Sequence, residues 1–102
     1  MFAFDQWADW LKPKGEALAN SGAAVSYVDT RIHPECQYNP AFGLDIETPH
    51  RLATIRFWQN GLCDFEVVDI STGKWLAREF MLDANGQTVP GLLERFMSFL
   101  GT

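Results

Sequence analysis

The feature that most constrains this chain is the stretch from Leu52 to Asp69, where two runs of alternating apolar residues meet at Gln59-Asn60-Gly61. Alternation with period two describes a strand that buries one face. Asn-Gly between two such runs marks a hairpin. Loop length sets the register, and a slip of one residue exchanges the faces completely. A two-residue Asn-Gly loop pairs Trp58 with Cys63 and Ile55 with Glu66, which mixes charged and apolar residues on both faces. A three-residue loop with Gly61 left-handed pairs Phe57 with Cys63, Ile55 with Phe65 and Ala53 with Val67. One face then becomes wholly apolar. The other holds Thr54, Arg56 and Trp58 against Asp64 and Glu66, with Arg56 opposite Asp64. The second register is therefore expected.

A four-residue loop from Thr48 to Arg51 extends the pattern. It sets Ile46 opposite Ala53, Leu44 opposite Ile55 and Phe42 opposite Phe57, all on the apolar face, and adds Asp45 and Glu47 to the opposite face. A further strand is expected over Trp75–Leu82, after the turn Ser71-Thr72-Gly73-Lys74. Its register stays open. One choice pairs Glu66 with Arg78 but points Glu79 inward; the other pairs Phe65 with Phe80 but sets Glu66 opposite Glu79. Upstream, Ala23, Val25 and Tyr27 alternate and predict a strand to about Thr30. Residues 31–40, punctuated by Pro34 and Pro40, read as a loop.

Helices are expected at both ends. Phe4, Trp7, Leu11 and Leu18 share a face, and Asp5 and Asp9 favour the positive N-terminal end. Pro13 removes a backbone donor and, with Gly15, predicts a kink or two short helices ending near Asn20-Ser21-Gly22. At the other end Thr88 is the expected N-cap, Pro90 suits the first turn, and Val89, Leu92, Leu93, Phe96 and Leu100 form an apolar stripe. The fold class is α+β: an antiparallel meander of four to five strands, with the N- and C-terminal helices packed on one face. The 102 residues suit a single domain with one core.

Charge narrows the partners. Eight Lys and Arg stand against 13 Asp and Glu, a net charge of −5. Phosphate neutralisation needs clustered bases, so neither nucleic acid nor an anionic membrane is expected as a partner. The acids are spread along the chain rather than gathered in a tail. No apolar run is long enough to span a bilayer, and the N-terminus lacks the basic start of a secretion signal. Cys36 and Cys63 therefore read as free thiols of a cytoplasmic protein.

No catalytic constellation emerges. His33 and Cys36 have a His-x-x-Cys spacing, but no second ligand pair follows, so no zinc or other metal is expected. Cys63 reads as a small buried hydrophobe. Asp64 and Glu66 lie on one strand face, yet Arg56 opposite works against a raised pKa. No glycine-rich loop follows a strand to cradle a phosphate. Neither an enzymatic activity nor a cofactor is expected. Trp7 and Trp10 on a helix and Trp75 on a strand read as core. Trp58 has two readings: an exposed aromatic at the edge of the open face, or a residue packed against Leu62 and Leu82. If both helices cover the apolar face, the open face carries Asp45, Glu47, Asp64 and Glu66, with Arg56 among them. Such a face is either an ordinary solvated sheet surface or a docking surface with Trp58 as an anchor.

The string Arg56 to Lys74, RFWQNGLCDFEVVDISTGK, resembles the TriTu-type immunity proteins, whose pattern is matched by Trp58, Gly61, Cys63, Asp64, Glu66, Val67, Asp69, Thr72 and Gly73. The flanking helices, with Phe4 and Trp7 in the first, agree with it. Pro13, Gly15 and the loop 31–40 depart from it. The resemblance implies an antitoxin, the cognate inhibitor of a TreTu-type ADP-ribosyltransferase toxin that modifies elongation factor Tu and is delivered between bacteria. Such an inhibitor would act in the producer's cytoplasm as a monomer binding its toxin one-to-one and occluding the NAD or target site. The expected contacts are Asp45, Glu47, Arg56, Trp58, Asp64 and Glu66. The competing readings are a small protein-binding or homo-oligomerising module, and a ligand carrier or enzyme that would need a concave polar pocket.

Overall fold

The structure is a computed structural model that describes residues 2–32, 39–84 and 89–100. His33, Cys36 and Thr88 lie outside the described residues. Helix α1 spans Phe4–Asn20 and helix α2 spans Val89–Ser98. Between them run β1 (Ala24–Asp29), β2 (Ala41–Glu47), β3 (Arg51–Trp58), β4 (Leu62–Asp69) and β5 (Trp75–Asp83). The five strands form one antiparallel sheet in the order β1-β2-β3-β4-β5, a meander. No helix among the described residues is long and apolar enough to cross a membrane.

The expected register of the central strands is the observed one. Phe57 faces Cys63, Ile55 faces Phe65 and Ala53 faces Val67. Ile46 faces Ala53, Leu44 faces Ile55 and Phe42 faces Phe57. Gly61 closes the β3–β4 turn at φ 89°, a left-handed conformation that glycine adopts without a Cβ penalty. Its N–H donates to the Trp58 carbonyl at 2.9 Å.

The first helix corrects its expectation. It runs unbroken through Pro13, and Gly15 belongs to its buried stripe of Phe4, Ala8, Leu11 and Gly15. A Cβ on Gly15 would come within 2.8 Å of Leu44 Cδ2, so the missing side chain lets the helix lie close to β2. Trp7, Trp10 and Leu18 flank that stripe, partly buried against the core. Tyr27 in β1 ties the helix down by donating its hydroxyl to the Ala8 carbonyl at 2.8 Å. Arg31 adds a second tie, reaching Asp29 at 2.6 Å, Asp5 at 3.0 Å and Asp9 at 3.1 Å.

Both helices cover the same face of the sheet. Phe4 from α1 meets Phe42 at a ring distance of 5.2 Å, Phe42 stacks on Phe57 at 5.2 Å, and Phe96 from α2 meets Phe65 edge-on at 5.7 Å. Cys63 is fully buried in this layer. Burial first, then the charges of Asp64 and Glu79, pushes its thiol up to about 12.

Strand β5 takes the first of its two expected registers. Glu66 faces Arg78 and Phe65 faces Glu79, so Glu79 does point to the helix side. There Arg95 of α2 meets it at 2.6 Å. The strand also carries two irregularities: Phe80 and Met81 together stand opposite Asp64, and Leu76 is extra between Trp75 and Ala77. Met81 sits at φ 58° and its N–H donates to Asp64 Oδ1 at 2.7 Å. A bulged edge strand is a poor template for pairing with another chain.

Candidate functional site

The reverse of the sheet has no helix over it, and the period-two alternation of β2, β3 and β4 decides what it presents. All six expected contact residues, Asp45, Glu47, Arg56, Trp58, Asp64 and Glu66, occupy this open face, by register on adjacent strands. Their hydrogen bonds sort them into different roles. Asp45 Oδ1 accepts from Thr54 Oγ1 at 2.6 Å and pairs with Arg56 Nη2 at 2.9 Å. Arg56 also donates Nη1 to the Ile55 carbonyl at 3.0 Å. Gly43 stands opposite it, where a Cβ would come 1.9 Å from the Ile55 oxygen. Arg56 is thus bound into the sheet surface rather than held out from it.

Asp64 is similarly engaged. Its Oδ2 accepts from Trp58 Nε1 at 3.0 Å while its Oδ1 accepts from the Met81 N–H. Trp58 is half-buried and held on the open face by its indole nitrogen. Glu66 meets Arg78 Nε at 3.6 Å. Glu47 stays exposed at the end of β2.

The face is also more apolar than its acids suggest. Trp75, expected in the core, is 50% exposed; Leu52 is 50% and Phe80 51% exposed. Leu52, Val68 and Trp75 are cross-strand neighbours, since Leu52 faces Val68 and Val68 faces Trp75. The Arg78 guanidinium lies 4.6 Å from the Trp75 ring and 5.6 Å from the Phe80 ring, joining the two aromatics through cation–π contact. An open cavity of about 350 Å³ sits over this row, walled by Leu52, Val68 and Trp75, with Asp45, Thr54 and Glu66 beside them. A second hollow lies between Trp58 and Phe80. The alternation of β3 and β4 already places Leu52 and Val68 with Thr54 and Glu66. Trp75, Arg78 and Phe80 could not be placed without the register of β5.

Among the described residues no group of three or more His, Cys, Asp or Glu gathers as metal ligands. The exposed aromatic and arginine side chains are the types enriched at protein interfaces. Larger exposed apolar patches on soluble proteins mark interaction sites. The open face thus carries side chains of the types that protein-binding surfaces use. No curated protein and no solved structure matches the chain. The family described as immunity protein TriTu matches it over residues 5–99, from the first turn of α1 to just past α2. With nearly its whole length matched, the chain belongs to the TriTu immunity protein family.

Proposed function

We propose that this protein neutralises a TreTu-type ADP-ribosyltransferase toxin directed at elongation factor Tu, binding it one-to-one in the cytoplasm of the bacterium that makes both. The observation that carries the reading is the family match over residues 5–99, joined to the resemblance of residues 56–74. The open sheet face supplies a means. An inhibitor needs one rigid surface that stays formed before its partner arrives, because ordering it on binding would cost affinity. Five hydrogen-bonded strands backed by a packed core provide that rigidity. Asp45, Glu47, Arg56, Trp58, Asp64 and Glu66 lie within the contact surface, and the toxin's active site is covered when that surface is engaged.

The negative charge of the chain, −5, favours fast encounter with a basic cleft such as one that holds a dinucleotide's phosphates. Co-expression with the toxin domain encoded beside it tests the reading. Growth should be rescued, and NAD-dependent labelling of elongation factor Tu by the purified toxin should stop at one equivalent of the protein. Failure to rescue cells from the adjacent toxin overturns it. Rescue with labelling intact replaces occlusion of the active site by another mode of inhibition.

A further inference from the structure

We infer that the docking centre is the cavity walled by Leu52, Val68 and Trp75, and that it receives a lysine or arginine side chain standing within an apolar patch of the toxin. The inference rests on the proposed function and names the chemistry that the open face selects. Three observations meet there. The walls are apolar, Leu52 and Trp75 are half exposed, and the three form one cross-strand row rather than scattered residues. Trp75 offers an aromatic ring already in contact with one guanidinium, that of Arg78. Asp45 and Glu66 stand beside the walls. A lysine or arginine matches all three, with an aliphatic stem for the walls and a cationic head for the carboxylates and the ring.

Charge balance leads to the same occupant. Strands β2, β3 and β4 bring four carboxylates to the face, Asp45, Glu47, Asp64 and Glu66, and β5 adds Asp83 opposite Leu62, against the guanidiniums of Arg56 and Arg78. Covering it with a purely apolar partner would strip water from uncompensated charge, which is costly. A partner that brings cations avoids that cost. A second copy of this chain would bring the same excess of acid, so the face is unsuited to pairing with itself. The twice-bulged β5 edge likewise discourages strand addition between copies.

The carboxylates then have unequal parts. Asp64 is a positioning residue, holding the Trp58 indole and the left-handed Met81 in place. Glu66 makes only a 3.6 Å contact with Arg78 and is the group that meets the incoming cation.

The test uses the whole protein and the toxin domain encoded beside it, with affinity measured by calorimetry at low and high salt. Trp75→Ala and Leu52→Ser should each weaken binding by about 30-fold or more, the scale of an interface hot spot. Their thermal unfolding should shift far less than that of a core substitution such as Phe57→Ala, because both positions are half exposed. Glu66→Gln should weaken binding less but flatten its salt dependence, a readout that a merely structural role would not move. Lys14→Ala on α1 serves as the control and should change nothing. Unchanged affinity in both Trp75→Ala and Leu52→Ser, with the toxin still bound and neutralised, overturns this inference and leaves the proposed function standing. No binding of the wild-type chain to that toxin overturns the proposed function instead. A wild-type dimer in sedimentation that Trp75→Ala dissociates assigns the patch to a second copy and also overturns the inference.

Discussion

On the helix-covered face, Phe42, Ile55, Phe57 and Phe65 are sealed from water, while on the reverse of the same sheet Leu52, Trp75 and Phe80 each keep about half of their surface in it. Within β3 a single alternation produces both fates, Leu52 on the open face and Ile55 and Phe57 on the covered one, whereas the irregularities of β5 bring both Trp75 and Phe80 to the open face. Burying a large apolar side chain is worth roughly 1.5–3 kcal/mol. The covered face has realised that free energy in folding; the open face has left part of it unrealised. Polar neighbours alone would have kept the open face soluble, as solvated sheet faces usually are. Large apolar groups retained in water are what the proposed docking surface would use.

The comparison can be broken most decisively from the covered side. Phe57→Ala, which empties space beside Phe42, should cost about 3–5 kcal/mol in urea unfolding. Molecules that remain folded should still bind the toxin normally. A similar loss is expected from Gly43→Ala, on the order of 3 kcal/mol, because its Cβ would meet the Ile55 backbone oxygen, which cannot step aside. Gly15→Ala is the instructive contrast. Its Cβ meets the end of a Leu44 side chain, and alanine gains about 1 kcal/mol of helix propensity over glycine. The net change should therefore be much smaller than at Gly43.

Trp75→Ala sharpens the same comparison from the open side. It should alter unfolding stability by less than about 1 kcal/mol, within the range of ordinary surface changes. A loss near that of Phe57→Ala would mean that Trp75 belongs to the core after all. Removing the helix–strand pair in Arg95→Ala should cost at most about 1 kcal/mol, since Arg95 is half exposed.

A pH-dependent effect concerns Tyr27, whose phenol is pushed up to about 12, chiefly by burial and then by the charge of Asp29. The folded protein keeps that proton at pH values where the unfolded chain, with its ordinary value of 10.0, gives it up. Stability contributed by Tyr27 is therefore complete below about pH 10 and declines as pH rises from there toward 12. Urea melts at pH 9 and 11 should show Tyr27→Phe losing less stability across that interval than the wild type, on the order of 1 kcal/mol of difference. An equal decline in both would remove Tyr27 from the account.

Much of this was legible beforehand where local pattern and turn chemistry agreed. The Asn-Gly turn and the alternation of β2, β3 and β4 determine their register, because any slip would bury Asp64 or Glu66 and expose Phe57 or Phe65. That register alone puts all six expected contact residues on one face. The apolar stripe of α2 follows equally from its spacing. Less was legible where the deciding atoms lie far away in the chain. Pro13 and Gly15 suggest a broken helix when read locally, but Gly15 is where α1 rests against Leu44. The register of β5 was undecidable from the strand itself, since what meets the inward Glu79 is Arg95, from a helix later in the chain. Until that register is known, Trp75 has no face.

What the sequence by itself determined, then, is the meander, its covered face and the acids opposite, because period-two alternation and a glycine turn act between neighbours. What only the tertiary structure decided is the character of the open face. Guanidiniums from Arg56 and Arg78 meet two of its acids, and two bulges in β5 help place Trp75 and Phe80 beside them. The placements of Trp75, Arg78 and Phe80 turn on the register of β5, whose inward Glu79 meets Arg95 from the far side of the sheet, and no local pattern carries that information.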